Sequence, residues 1–348
     1  MTRKLLMAIS IGMAVALLAG TSPAAVSEQA IQDLYKAAKS EGEVIWQVGG
    51  TLRTYTPAAK AFEAVYPGVK CSVIEISATT IHTRIITEAA AGRVSLDVGG
   101  TMTDILLPLL KRDLLIKQDW SRITDSDPNL ILFDGAFVIS YDHPPVWVYN
   151  TKLVSEAEAP KTWEDGLHPR WRGSKISMRS LGQSFGGLFP EWRKNPKKIV
   201  DYIEQMKKQE VMPGARFAEV LNRVATGECP VGIVVTSDAI RQQKAGAPIG
   251  ICSVSPTAAI PQGMFIPKGA PHPNAAKLLI SWLSSNKGRM EFGRLTDSYL
   301  ALPPEASPLA QVLSNAGVKF HRVASVEEVE DYLRFSEMVV KTMGFVPK

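Results

Sequence analysis

The sequence predicts an α/β protein built as two lobes, and three observations carry that reading. The 348 residues are 45% hydrophobic and 21% charged, enough to bury sizeable cores, and at roughly 150 residues per domain the length favours two units. Short apolar runs alternate with segments of helical period, the pattern of strand and helix units that build a mainly parallel sheet with covered faces. Residues 136–149 then form two extended apolar runs broken by Asp142-His143-Pro144-Pro145, where the prolines forbid one continuous central strand. That break reads as a crossing between domains.

The elements follow in order. Residues 1–25 have the layout of an export signal: Arg3 and Lys4, an apolar stretch from Leu5 to Leu18, and small residues around Ser22-Pro23-Ala24. Thr21 stands where a lipoprotein signal would place cysteine, so the mature chain is expected free in the periplasm. Ile31 to Lys39 has helical spacing and stops at Glu41-Gly42, before a strand from Val44 to Val48. Thr56-Pro57 is expected to cap and begin a second helix, ended by Tyr66-Pro67-Gly68 before a strand from Val69 to Ile76. Thr79 or Thr80 caps a helix to Ala91-Gly92, and Leu96 to Val98 makes a further short strand. Beyond the crossing, Lys175 to Met178 and Val231 to Val235 read as strands, with helices around residues 196–209 and 215–225. Residues 260–267 are extended and 271–285 are an amphipathic helix, which returns the chain to the first lobe.

Charge excludes one large class of function. The 39 basic residues exceed the 34 acidic ones by five, and Arg3 and Lys4 leave with the signal; the rest are dispersed, so no nucleic-acid footprint is expected. Cys71, Cys229 and Cys252 lack zinc spacing and are too few for a disulfide scaffold. A Cys229–Cys252 bridge and three small buried thiols both remain open.

At this point the residues resemble a family, the periplasmic solute-binding proteins of ABC importers, in the group that includes the ferric-iron and putrescine binders. The matching stretches are Ala37 to Val44, the Ile85-x2-Glu88-x2-Ala91-Gly92-Arg93 pattern within residues 84–98, Tyr149-Asn150-Thr151, and residues 266–285, IPKGAPHPNAAKLLISWLSS. The resemblance implies a type II binding-protein fold, two α/β lobes joined by hinge strands, with a solute held in the cleft and delivered to an inner-membrane ABC permease. Residues 26–143 and 264–305 would form lobe I and 144–263 lobe II, while 306–348, a helical segment, is assigned to neither. A monomer is expected, with no cofactor, no resident metal and no enzymatic activity.

Ligands of open α/β sheets sit beyond the carboxyl ends of strands, where loops lead into helix N-termini. Those loops are Gly49-Gly50-Thr51-Leu52-Arg53, Ser77-Ala78-Thr79-Thr80 and Gly99-Gly100-Thr101 in the first lobe, and residues 179–184 and Thr236-Ser237-Asp238 in the second. Their glycines admit close backbone approach and their hydroxyls donate hydrogen bonds, which favours an anion, although each also serves as an ordinary cap or turn. The expected ligand contacts are Thr51, Arg53, Ser77, Thr79, Thr101, Arg179, Ser180, Ser184, Thr236, Ser237 and Asp238, with Trp46 and Tyr149 framing an organic solute. Core packing explains Trp46, Trp147 and Tyr149 as readily. Arg179 ranks above Arg53 and Arg241 as the carboxylate or phosphate partner, because it ends a strand.

Two alternatives stand beside this. Ferric-binding relatives supply adjacent tyrosines, hard donors for a hard cation, but no Tyr-Tyr pair occurs here and Thr236-Ser237-Asp238 occupies the expected place. An iron site would need other ligands, and His82, Glu43 and Asp104 match no compact metal motif. Gly182-Gln183-Ser184-Phe185-Gly186 also fits the GxSxG nucleophile elbow, with Asp238 and then His272 or His321 in the chain order of an α/β-hydrolase.

Overall fold

A computed structural model describes residues 26–252, 254–300, 307–315 and 317–345. The export segment read over residues 1–25 lies outside the described residues. Helix α1 (Glu28–Glu41) begins where Ser27 Oγ accepts from Ala30 N at 3.2 Å and stops at Gly42, whose φ of +78° gives a left-handed C-cap. Strand β1 (Glu43–Val48), α2 (Leu52–Val65), β2 (Lys70–Glu75), α3 (Ile81–Ala90), β3 (Gly99–Met102) and α4 (Thr103–Lys111) continue the first lobe. Strands β4 (Ile131–Leu132) and β5 (Phe137–Asp142) lead to the crossing, and β6 (Pro145–Asn150) leaves it.

The second lobe holds β7 (Ile176–Arg179), a 3-10 stretch over Gly182–Leu188, α5 (Phe189–Lys194), α6 (Pro196–Lys207), β8 (Met212–Gly214), α7 (Phe217–Thr226), β9 (Val231–Val235), α8 (Thr236–Lys244) and β10 (Ile249–Cys252). The chain returns through β11 (Thr257–Ala259) and β12 (Pro261–Phe265) to α9 (Pro273–Ser284) and α10 (Asn286–Thr296), and then runs through α11 (Pro308–Asn315) and β13 (Phe320–Arg322) to α12 (Val326–Met343). Among the described residues no helix is long and apolar enough to cross a membrane.

One sheet has the order β3-β12-β5-β4 and the other β10-β6-β9-β7-β8, while β1 and β2 pair in parallel and reach the first sheet through a Trp46–Val98 bridge. The two-lobed α/β fold is as expected, but its sheets are mixed rather than mainly parallel. The crossing explains the difference. Strand β5 leaves the first lobe at the edge where β12 re-enters it, so the two neighbours must run antiparallel; β6 likewise enters the second lobe where β9 ends. Parallel pairing survives in β1–β2, in β7 with β8 and β9, and in the small β11–β13 pair.

Three local expectations need correction. Helix α2 starts at Leu52, not at Thr56-Pro57: Pro57 lies inside it, and the early turn is held by Tyr55, buried with its ring centroid 5.6 Å from that of Trp46. The third strand is Gly99–Met102 rather than Leu96 to Val98, because Asp97 is diverted to accept from Ile45 N at 2.7 Å and His272 N at 2.6 Å. Its diglycine is a packing requirement and not a loop: a Cβ on Gly99 would lie 2.2 Å from the Phe265 ring. Of the two readings left open for the cysteines the structure shows the second: Cys71, Cys229 and Cys252 are all free and buried, and the Cys229–Cys252 bridge is not formed.

Two large apolar clusters centre on the two lobes, and Leu107 of α4 joins the second from the first lobe. Trp46, Phe62, Met264 and Ile280 belong to one; Trp147, Phe185, Phe189 and Ile203 belong to the other. Helix α12 adds Tyr332 and Phe335 to the second centre and packs on α5, α6 and the 3-10 stretch, while also touching α4 of the first lobe.

Candidate ligand cleft between the strand ends

Strand directions decide where the lobes face each other. β3 and β5 both run antiparallel to β12 and so parallel to each other, and β1 follows β3 through the Trp46–Val98 bridge. The carboxyl ends of β1, β2, β3 and β5 therefore share the edge at which the crossing begins. In the second lobe Val235 of β9 lies opposite Pro145, and Thr236 N donates to Pro144 O at 3.1 Å. The ends of β7 and β8 lie along that same edge, since both run parallel to β9. The loops at 49–51 and 76–80 thus lie on the strand-end edge of the first lobe, and those at 179–184, 214–216 and 236–238 on that of the second, the places where open α/β sheets hold ligands.

The first-lobe rim is tied together by Gln47. Its Nε2 donates to Ile76 O at 2.7 Å and its Oε1 accepts from Gly100 N at 2.8 Å, so one fully buried amide joins three strand ends. Sequence reasoning missed this residue, although a glutamine inside the apolar run Val44 to Val48 was the available signal. Thr101 Oγ1 donates to Ala78 O at 2.8 Å, and a Cβ on Gly49 would stand 2.7 Å from that of Ala78. Ser77 and Thr79 pair their exposed hydroxyls at 2.8 Å, and Thr51 pairs with Thr54 at 3.0 Å. Arg53 is exposed in the first turn of α2.

On the second-lobe rim Arg179 ends β7 half-buried, with Nε donating to Ala215 O at 3.1 Å and its guanidinium 5.2 Å from the Phe217 ring centroid. Burial makes that guanidinium less basic than a solvated one. Ser180 N donates to Gly214 O at 3.1 Å, beside this pair. Ser237 Oγ lies 3.0 Å from His143 Nδ1, and Asp238 is held by Arg241 at 3.1 Å.

Several expected contacts are committed elsewhere. Ser184 Oγ donates to Arg179 O at 2.9 Å and Thr236 Oγ1 to Pro144 O at 2.8 Å, so these hydroxyls, like that of Thr101, spend their protons on backbone carbonyls. Trp46 is buried among Tyr55 and Phe292. Tyr149 is buried against Gly250 and opposes Val231 at the start of β9, at the end of its sheet remote from the cleft.

The hydrolase elbow is not assembled: Ser184 is fully buried, His272 Nδ1 is 2.9 Å from Asp97, His321 Nε2 is 2.9 Å from Glu328, and Asp238 holds Arg241. Among the described residues no three His, Cys, Asp or Glu side chains are grouped to hold a metal. Glu43 lies at the start of β1, bonded to Ser72, far from His82 and Asp104 on the cleft side. The fold does join two tyrosines remote in sequence, Tyr55 and Tyr141, hydroxyl to hydroxyl at 3.1 Å. Burial raises both phenols above their ordinary range.

A second feature sequence reasoning missed pins the crossing. Arg322 of β13 makes a bidentate pair with the buried Asp142, Nε–Oδ1 3.0 Å and Nη2–Oδ2 2.7 Å. Tyr141 and His143 flank Asp142 with ring centroids 4.6 Å apart.

The family model for bacterial extracellular solute-binding protein matches residues 49–290. A search of curated protein sequences finds no significant match. Among solved structures, the substrate-binding protein of an ABC transporter from Agrobacterium tumefaciens is similar at 16% identity and a TM-score of 0.68, covering 87% of this chain and 97% of its own. The apo ferric ion-binding protein A of Pasteurella haemolytica shares 20% identity at a TM-score of 0.68, again over 87% and 97%. The periplasmic binding protein AfuA of Actinobacillus pleuropneumoniae, with fructose-6-phosphate bound, shares 19% at 0.63, over 88% and 99%.

Proposed function

The chain belongs to the bacterial extracellular solute-binding proteins, and from that premise we propose that it captures a small organic anion between its lobes and presents it to an ABC permease of the inner membrane. The observation that carries the anion is Arg179, a half-buried guanidinium at a strand end on the cleft edge, whose Nε is bonded to Ala215 O. Around it the reading places Ser180, Ser237 and Asp238 from the second lobe and Thr51, Arg53, Ser77 and Thr79 from the first. Residues 26–143 and 264–305 act as one jaw and 144–263 as the other, and the packing of α12 on α5 and α6 supports counting the C-terminal segment with the second. The protein works as a periplasmic monomer without catalysis and without nucleic acid. A ferric ion-binding protein and a protein holding fructose-6-phosphate both stand among the similar structures, which is consistent with one fold and many ligands. Thr236-Ser237-Asp238 in place of a Tyr-Tyr pair speaks against iron by the adjacent-tyrosine route.

The test is native mass spectrometry of the purified protein, to identify a retained solute, followed by small-angle scattering with and without it. A smaller radius of gyration with solute is expected, because only a ligand touching both lobes favours the closed state. Arg179→Ala should weaken binding of that solute by about 2 kcal/mol. Equal radii, or binding unchanged in the variant, would overturn the reading.

A further inference from the structure

We propose that helix α8 carries a polar clasp, built on the Lys244–Asp297 ion pair, that holds the lobes together on one face of the second sheet, and that the lobes part on this face while the opposite face serves as the pivot. Strand β6 separates the two faces, because alternate residues of a strand point to opposite sides. Trp147 and Tyr149 point into a cluster that takes in Tyr332 and Phe335 of α12 and reaches Met102 and Leu107 of the first lobe; Lys111 of α4 meets Glu330 of α12 at 2.7 Å on the same flank. Val146 and Val148 point into another cluster, shared with α7 and with Ala239 of α8, which among the described residues contains none from the first lobe. Apolar packing therefore joins the lobes on the α12 face and not on the α8 face.

What joins them on the α8 face is polar and runs along one side of the helix. Ser237, Arg241 and Lys244 follow at intervals of four and three residues, which places them on that side. Ser237 Oγ lies 3.0 Å from His143 Nδ1 at the crossing. Burial raises the phenols of the first lobe's Tyr55–Tyr141 pair, and the charge of Arg241 reaches both and acts the other way. Lys244 Nζ is 2.5 Å from Asp297 Oδ1 and 6.0 Å from the centroid of the Tyr299 ring. Helix α8 packs on β6, β9 and β10, whereas α10, which ends at Asp297, packs on α2 and α9, so the ion pair ties one lobe to the other. Asp297 is the C-cap of α10 at a φ of +54°, a left-handed position that favours glycine. An aspartate there supplies the carboxylate that glycine lacks. Tyr299 O accepts from Asp142 N at 3.0 Å, which sets the clasp beside the crossing.

The two faces resist separation unequally. Parting the α12 face would bring buried apolar side chains such as Leu107 and Tyr332 into water. Lys244 is 57% exposed and Asp297 28%, so parting them exchanges a solvated ion pair for hydration and salt, a far smaller loss. The α8 face is the one that yields.

The experiment measures the distance between nitroxides at the exposed positions Lys60→Cys of α2 and Asn222→Cys of α7 by double electron–electron resonance, in solute-free protein whose three native thiols are buried. Lys244→Glu, Asp297→Lys and the double reversal are compared with the unreversed protein, with circular dichroism to establish folding. Each single reversal should raise the population at long distance about two- to fivefold, and concentrated sodium chloride should do the same to the unreversed protein. The double reversal, which restores an ion pair of opposite sense, should return the distribution to its starting form. Distances unmoved by either single reversal, or a double reversal as open as the singles, overturn the clasp. If the single reversals part the lobes while no retained solute compacts the protein, the clasp stands and solute capture fails; if they do not and a retained solute still compacts it, the clasp fails and capture stands.

Discussion

The first-lobe rim ends its strands in small residues, Gly49-Gly50-Thr51 and Ser77-Ala78-Thr79, knit from behind by the buried Gln47, whereas the second-lobe rim ends in Arg179 and turns the hydroxyls of Ser184 and Thr236 inward to backbone carbonyls. One side offers shape and hydroxyls on a braced frame; the other offers charge. In such a pair of jaws, polar brace and polar grip are separate jobs, and the same kind of side chain does either according to whether a backbone group or open cleft lies before it. Burial alone does not tell them apart: Gln47 and Thr236 are both fully buried and tie down backbone, while the guanidinium of half-buried Arg179 stands over the Phe217 ring at the end of its strand.

The division can be attacked in order of expected effect. The largest belongs to neither rim but to the pair that pins the crossing between them. Arg322→Met leaves the Asp142 carboxylate buried beside the hinge without its bidentate partner, which should cost about 3–5 kcal/mol of stability in urea unfolding; a loss below about 1 kcal/mol would show that water replaces the arginine there. Next comes the brace. Gln47→Leu strands Ile76 O and Gly100 N together, and about 2–4 kcal/mol of stability should go, whereas Arg179→Ala should move stability by less than about 1 kcal/mol, a cleft arginine having little core to support. If the two variants unfold alike, brace and grip are not distinct.

The smallest effect sharpens the first-lobe side through pH. Burial raises the Asp104 carboxyl, in the first turn of α4, above its ordinary value. An acid whose folded pKa exceeds its unfolded one weakens the fold as pH rises through that interval. Asp104→Asn should therefore be more stable than wild type at neutral pH, with the advantage vanishing on acidification below the unfolded aspartate value. An advantage that persists in acid would assign the effect to packing instead of charge.

Much of the fold was legible residue by residue. The glycine stop at Gly42, the proline break at residues 142–145, the strand Val231–Val235 and the helix after Pro271 all follow from backbone preferences that act over a few neighbours. The misreadings share a different character. Pro57 looked like a helix start because its ring suits a first turn, but the contact of Tyr55 with Trp46 carries the helix one turn further back. Gly99-Gly100 looked like a ligand loop because glycine admits any partner, and the partner turned out to be the Phe265 ring from a strand more than a hundred and sixty residues later. Tyr149 looked like a cleft residue because the crossing is near in sequence, yet a strand of six residues carries it to the far end of its sheet.

By itself, the sequence determined the alternation of strands and helices, the place where the chain crosses between lobes, and the abundance of hydroxyls and glycines at strand ends, since each depends on torsional preference and side-chain period over short range. Only the tertiary structure decided which of those hydroxyls are already bonded, that β12 returns antiparallel to β5, that Tyr55 meets Tyr141, and that Arg322 closes on Asp142 across 180 residues. The physical reason is that a hydrogen bond or ion pair is fixed by proximity, and proximity between distant segments is created by packing the two cores, which no local preference encodes.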